Sequence, residues 1–144
     1  MPDSLYGYRS GDRTPRPVRL DSATSTVVVG DFLKLGTAGY YQQCDANGEG
    51  QCVAMQASTA PTADGEKIIL ADFSRTAIYE YPADTGTVVV GDIGKSCDIG
   101  GAQSVNRDAS ATGQGGDGCL EIVDVDTAAN TLFVRLARPA FAGA

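Results

Sequence analysis

The chain reads as an all-β protein, a small barrel or sandwich, on three observations. A valine-rich segment occurs twice, paired runs alternate apolar and polar residues around turn signals, and apolar residues nowhere keep the helical spacing for three turns. Many short strands joined by Gly-rich turns belong to that architecture.

The repeat is the strongest of the three. Thr26-Val27-Val28-Val29-Gly30-Asp31-Phe32 returns as Thr87-Val88-Val89-Val90-Gly91-Asp92-Ile93, six identities in succession at an offset of 61 residues, and each copy is followed by a lysine, Lys34 or Lys95. Downstream, Gly50 to Met55 answers Gly118 to Ile122, and Lys67 to Leu70 answers Leu132 to Leu136. Two pseudo-repeated halves follow, about 20–80 and 81–141, inside one β domain spanning 20–144. The triple valine reads as a strand stopped by Gly-Asp, with a positive φ at the glycine bending the chain.

Two hairpins complete the halves. Gln51 to Ala57 and Glu66 to Phe73 flank the turn signal Asp64-Gly65, and Cys119 to Asp126 and Thr131 to Ala137 flank Thr127 to Asn130. Leu132, Val134 and Leu136 alternate cleanly, whereas Leu120, Ile122 and Val125 do so imperfectly. Gln42 to Glu49 and Gly100 to Gly118 read as long surface loops.

Residues 1–19 read as an extended N-terminal arm. They carry Pro2, Pro15 and Pro17 and no hydrophobic period. Through residue 20, four arginines (Arg9, Arg13, Arg16, Arg19) against Asp3 and Asp12 give +2, which leaves −9 for the rest of a chain whose net charge is −7. Tyr6, Tyr8 and these arginines are side chains of the kind that anchor interfaces. The acidic body repels phosphate backbones and anionic headgroups, which argues against nucleic acid or membrane as partner. There is no run of about 18 apolar residues, and Met1-Pro2-Asp3-Ser4 lacks the order of a secretory signal.

The sequence offers little for catalysis. It contains no histidine, the commonest general base and metal ligand. Glu121, Asp124 and Asp126 read as the solvated face of a sheet, and Asp31 and Asp92 as turn carboxylates that accept hydrogen bonds from nearby backbone N–H groups. Gly113, Gly115 and Gly118 match a dinucleotide spacing without the strand and helix it needs, and Asp45 to Glu49 lacks the ligand spacing of a calcium loop. The expectation is a non-enzyme without a cofactor or metal. Cys44, Cys52, Cys97 and Cys119 lack zinc-site spacing. Two readings of them stay open: one disulfide per half, 44 to 52 and 97 to 119, or four buried thiols in a protein matured in a reducing compartment.

In overall layout the chain resembles the decoration, or cement, proteins of tailed-phage capsids. The likeness rests on the Arg/Pro-bearing N-terminus, the Val-Gly-Asp units, the acidic Ala/Gly-rich body and the closing run Leu132-Phe133-Val134-Arg135-Leu136-Ala137-Arg138-Pro139. It implies a β-tulip-like module on the outer surface of an icosahedral virion, made in the host cytoplasm. It also implies a homo-oligomer, a trimer ahead of a dimer, that clamps neighbouring major capsid protein subunits through the arm. The four cysteines depart from that family. Other readings are a head fibre base or tail component, and a carbohydrate- or ligand-binding β module using Tyr40, Tyr41, Tyr79 and Tyr81, although alternation along a strand would divide such tyrosines between core and surface.

Overall fold

The computed structural model describes residues 7–44, 52–84, 86–107 and 119–137. Within them the chain forms eleven strands: β1 (Gly7–Ser10), β2 (Pro15–Arg19), β3 (Phe32–Leu35), β4 (Tyr41–Gln43), β5 (Cys52–Ala54), β6 (Ile68–Asp72), β7 (Ile78–Pro82), β8 (Ser96–Gly101), β9 (Ser104–Asn106), β10 (Leu120–Asp126) and β11 (Thr131–Leu136). Two antiparallel sheets result, ordered β2-β6-β5-β3-β4 and β1-β7-β11-β10-β8-β9. The described residues are all-β apart from two 3-10 turns, Thr37–Gly39 and Val90–Asp92.

The two sheets are the same unit twice. Setting β1 aside, each takes its five strands in the order first, fifth, fourth, second, third, with every neighbour antiparallel. Each unit brings its edges together at a single parallel bridge, Leu20 to Tyr41 in the first and Ala83 to Val105 in the second, which stops short of a closed barrel. The boundary expected at 80/81 cuts through β7, so unit 1 is β2–β6 and unit 2 is β7–β11.

Matching hydrogen bonds set the residue correspondence. Gly30 and Ala54 are joined N–H to carbonyl at 2.9 Å, as Gly94 and Ile122 are at 2.8 Å. Cys52-Val53-Ala54 therefore answers Leu120-Glu121-Ile122, the alignment read from the sequence. On β6 and β11 the sequence alignment is two residues out, since Ile69 faces Val18 where Leu132 faces Tyr81. The hairpin alternation falters at Ile122 because β10 bulges between Ile122 and Asp124, which carries Val125 into register with Leu132.

Residues 7–19 have extended backbone but do not form an arm standing off the body. β1 pairs with β7 in one sheet and β2 with β6 in the other. Val18 and Leu20 enter the core of unit 1 with Val27, Leu33, Cys52, Ile69 and Ala71. Prolines mislead here because they are strand breakers in a sheet interior yet suit an edge. The Leu20 N–H bonds the Lys67 carbonyl and the Phe73 N–H bonds the Thr14 carbonyl, while the Leu70 N–H turns to Gln56 Oε1. Bonded pairs alternate, so Pro15 and Pro17 occupy positions whose N–H would point away from the sheet.

The units lock together off-centre. Phe32, Val53 and Cys44 project from the face of sheet one opposite its own core and enter the core of unit 2. The Phe32 ring lies 4.4 Å from that of Tyr81. The Tyr81 hydroxyl donates to the Gly30 carbonyl at 2.5 Å, and the Tyr79 hydroxyl donates to the Asp72 carboxylate. Unit 2 carries Ser96 and Glu121 where unit 1 has Phe32 and Val53. That face is solvated, and Glu121 there pairs with Arg135 at 2.5 Å. One fold thus has an apolar outer face where its twin covers it and a polar one where water does.

Candidate protein-binding site

The repeated sequence is a pair of turns, and the expected valine strands are corrected accordingly. In the first copy Val27 is buried and makes one bridge to Ser58, after which the chain leaves the ladder. The Asp31 N–H returns to the Val28 carbonyl at 3.1 Å, and Asp31 Oδ2 accepts the Val28 N–H at 3.0 Å. The second copy repeats both contacts, Asp92 N–H to Val89 carbonyl at 3.0 Å and Val89 N–H to Asp92 Oδ2 at 3.1 Å. The carboxylate closes a three-residue loop on itself, the role expected for it.

What these turns hold up is apolar. Val28 and Val29 are about half exposed, and Val90 reaches 68% with Val89 and Ile93 beside it in sequence. The first valine of each triplet anchors in the core, while the second and third stand in water. Small apolar groups presented on a stiff turn gain free energy only when another surface covers them.

Each turn is braced from the end of the third strand of its unit, by Gln43 on β4 and by Arg107 directly after β9. Gln43 Nε2 donates to Asp31 Oδ2 at 2.7 Å, and Gln103 from unit 2 donates to Asp31 Oδ1 at 2.8 Å. Arg107, the counterpart of Gln43, braces Asp92 with two hydrogen bonds. Asp92 is held below the ordinary carboxylate range, first by the Arg107 hydrogen bonds and further by the Val89 N–H and Lys95, against the opposing effect of burial. The two copies differ at their glycines. Gly30 has φ +97°, as expected, whereas Gly91 sits in a 3-10 turn and the positive φ falls to Gly94, at +91°. Three additional residues between turn and strand in unit 2 move that bend downstream.

The arm residues are committed elsewhere. Tyr6 lies outside the described residues. Tyr8 packs edge-on against Tyr79 and donates to the Gly11 carbonyl. Arg9 pairs with Glu80 at 2.9 Å, Arg13 covers the Tyr8 ring at 3.6 Å, Arg16 lies over Phe73, and Arg19 reaches the Gly65 carbonyl. These contacts fasten 7–19 to the body. Tyr41, Tyr79 and Tyr81 are buried, so the tyrosine set does not form an exposed sugar-binding platform.

All four cysteines are buried thiols. A 44–52 bridge is corrected by strand order, because β3 lies between β4 and β5 and the two residues project to opposite faces of the sheet, one into each core. Two strand spacings of about 4.8 Å exceed the reach of a disulfide. Cys97 and Cys119 sit on adjacent strands, with Cys97 opposite Leu120. Burial pushes the Cys52 and Cys97 thiols up. The glycine spacing 113–118 and the segment 45–49 lie outside the described residues, as does most of the loop expected over 100–118, whose beginning is the β8–β9 hairpin.

Fold and turns together define a tandem-duplicated antiparallel β protein that displays the same apolar turn twice. No family model, curated protein or solved structure matches the chain.

Proposed function

We propose that the chain is a structural virion protein that decorates the outside of an icosahedral phage capsid and clamps neighbouring major capsid subunits. The observation that carries this is the duplicated turn: Val28-Val29 and Val89-Val90, one pair per unit, each held out by a buried aspartate. A binder that offers one apolar tip twice from a rigid body suits a partner surface that itself repeats. Two modest contacts made together gain avidity that neither has alone. The gripping role passes from the N-terminal segment, whose side chains hold the protein's own body, to the turns. The acidic surface keeps such a module off the encapsidated nucleic acid.

Co-sedimentation with shells of the major capsid protein tests the reading. Wild-type protein binds in step with the number of shell subunits, Val28→Asp or Val89→Asp binds weakly, and the double variant does not bind. Absence of wild-type binding overturns the proposal. Binding of a few copies at one vertex or at the tail favours a fibre base or tail component instead.

A further inference from the structure

We infer that the outer face of β2 and β6, centred on Leu70, Ile68 and Pro17, is a self-association surface whose occupant is a second copy of this chain. Cross-strand pairing puts Pro17 beside Leu70 and Arg19 beside Ile68, all exposed and on one face. Register places that face as the continuation of an interface already present. Asp72, two residues along β6 from Leu70, lies opposite Val53, which lies opposite Phe32, and unit 2 covers this row with Tyr79 and Tyr81. The cover stops at Asp72 while the apolar face runs on. What already occupies it is a unit of this same fold.

Unit 2 supplies an internal control. The residues corresponding to Leu70, Ile68 and Pro17 are Phe133, Thr131 and Glu80, from the matching pairs Phe133–Glu80 and Thr131–Pro82. There Glu80 accepts hydrogen bonds from Thr131 at 2.5 Å and Arg9 at 2.9 Å, Thr131 is buried and Phe133 is half-buried, so this face is already largely covered within the chain. The same positions in unit 1, Leu70, Ile68 and Pro17, are left exposed by the chain's own fold. The contact runs face to face rather than edge to edge, because Pro15 and Pro17 remove the outward N–H groups that strand addition across β2 requires. Heavy burial of Leu70 and Ile68 in a partner supplies the apolar centre that lasting homo-oligomer contacts have.

This inference does not depend on the capsid reading. Light scattering on the full chain across a concentration series tests it, with Ile68→Thr/Leu70→Gln as the gentle variant, Ile68→Asp/Leu70→Asp as the severe one, and Val28→Asp/Val89→Asp as control. Circular dichroism checks that each variant is folded. The wild type and the turn control are expected to be oligomeric, with loss of the oligomer in both face variants. A monomeric wild type, or an oligomer that survives in the folded face variants, overturns the inference. Shell binding by a monomeric wild type would leave the decoration reading intact.

Discussion

Arg107 grips Asp92 with two hydrogen bonds, Nε to Oδ2 at 3.0 Å and Nη2 to Oδ1 at 2.8 Å, and the Asp92 side chain is only 2% exposed. The second valine turn therefore rests on a buried charge with a single guanidinium across from it. Arg107→Ala removes the hydrogen-bonded cation from that carboxylate, leaving the Val89 N–H and the charge of Lys95 to favour its ionised form, and should cost about 2 to 4 kcal/mol, at the lower end because Arg107 itself is partly in water. A folded-state carboxyl held low contributes stability that is complete above the unfolded value of about 3.9 and is lost as pH falls through the folded value. Denaturant titrations of wild type and Arg107→Ala should accordingly converge below about pH 4. A gap that is constant with pH would remove the ion pair as the cause.

The junction between the units should fail as a whole. Tyr81→Phe strands the buried Gly30 carbonyl and should cost about 1 to 3 kcal/mol. Phe32→Ala empties a site in the core of the other unit and should cost about 3 to 5 kcal/mol. Both should lower a single cooperative transition followed by near-UV circular dichroism. Two separated transitions would mean that the units unfold independently.

Deleting residues 1–19 should not release an intact body. It removes β1 and β2, uncovers β6 and strips Val18 from the core of unit 1. The truncated chain should be insoluble or bind a hydrophobic dye. A soluble, cooperatively melting truncation would restore the view of this segment as a detachable arm.

The edge prolines should act as guards. Pro15→Val/Pro17→Val restores two outward N–H groups on an exposed strand and should raise aggregation with little change in unfolding free energy. Static light scattering beside a chemical melt separates the two effects.

Cysteine chemistry should follow strand order. Native protein should resist alkylation at Cys52 and Cys97, since burial disfavours both thiolates, and should react once unfolded. After mild oxidation, peptide mapping should find no linkage of Cys44 to Cys52.

The all-β class, the duplication and the β10–β11 hairpin were legible in the sequence because they rest on local signals, whereas β5 and β6 pair across residues 55–67 and not around a tight Asp64-Gly65 hairpin turn. Six identities at a fixed offset, Asp-Gly at a turn and the alternation of Leu132, Val134 and Leu136 need no distant partner to be read. A signal for the outer face was also present, in the unbroken apolar run Ile68-Ile69-Leu70-Ala71, which marks a strand apolar on both sides. Tertiary structure alone decided that the valine triplets are turns, that Pro15–Arg19 is a strand, and that β3 separates Cys44 from Cys52. Triple valine favours extended backbone wherever it stands, and only a carboxylate three residues on, braced from another strand, folds it back. The asymmetry of the twins has the same origin. Phe32 and Ser96 occupy one position of one fold, and which is buried depends on where the other unit lies.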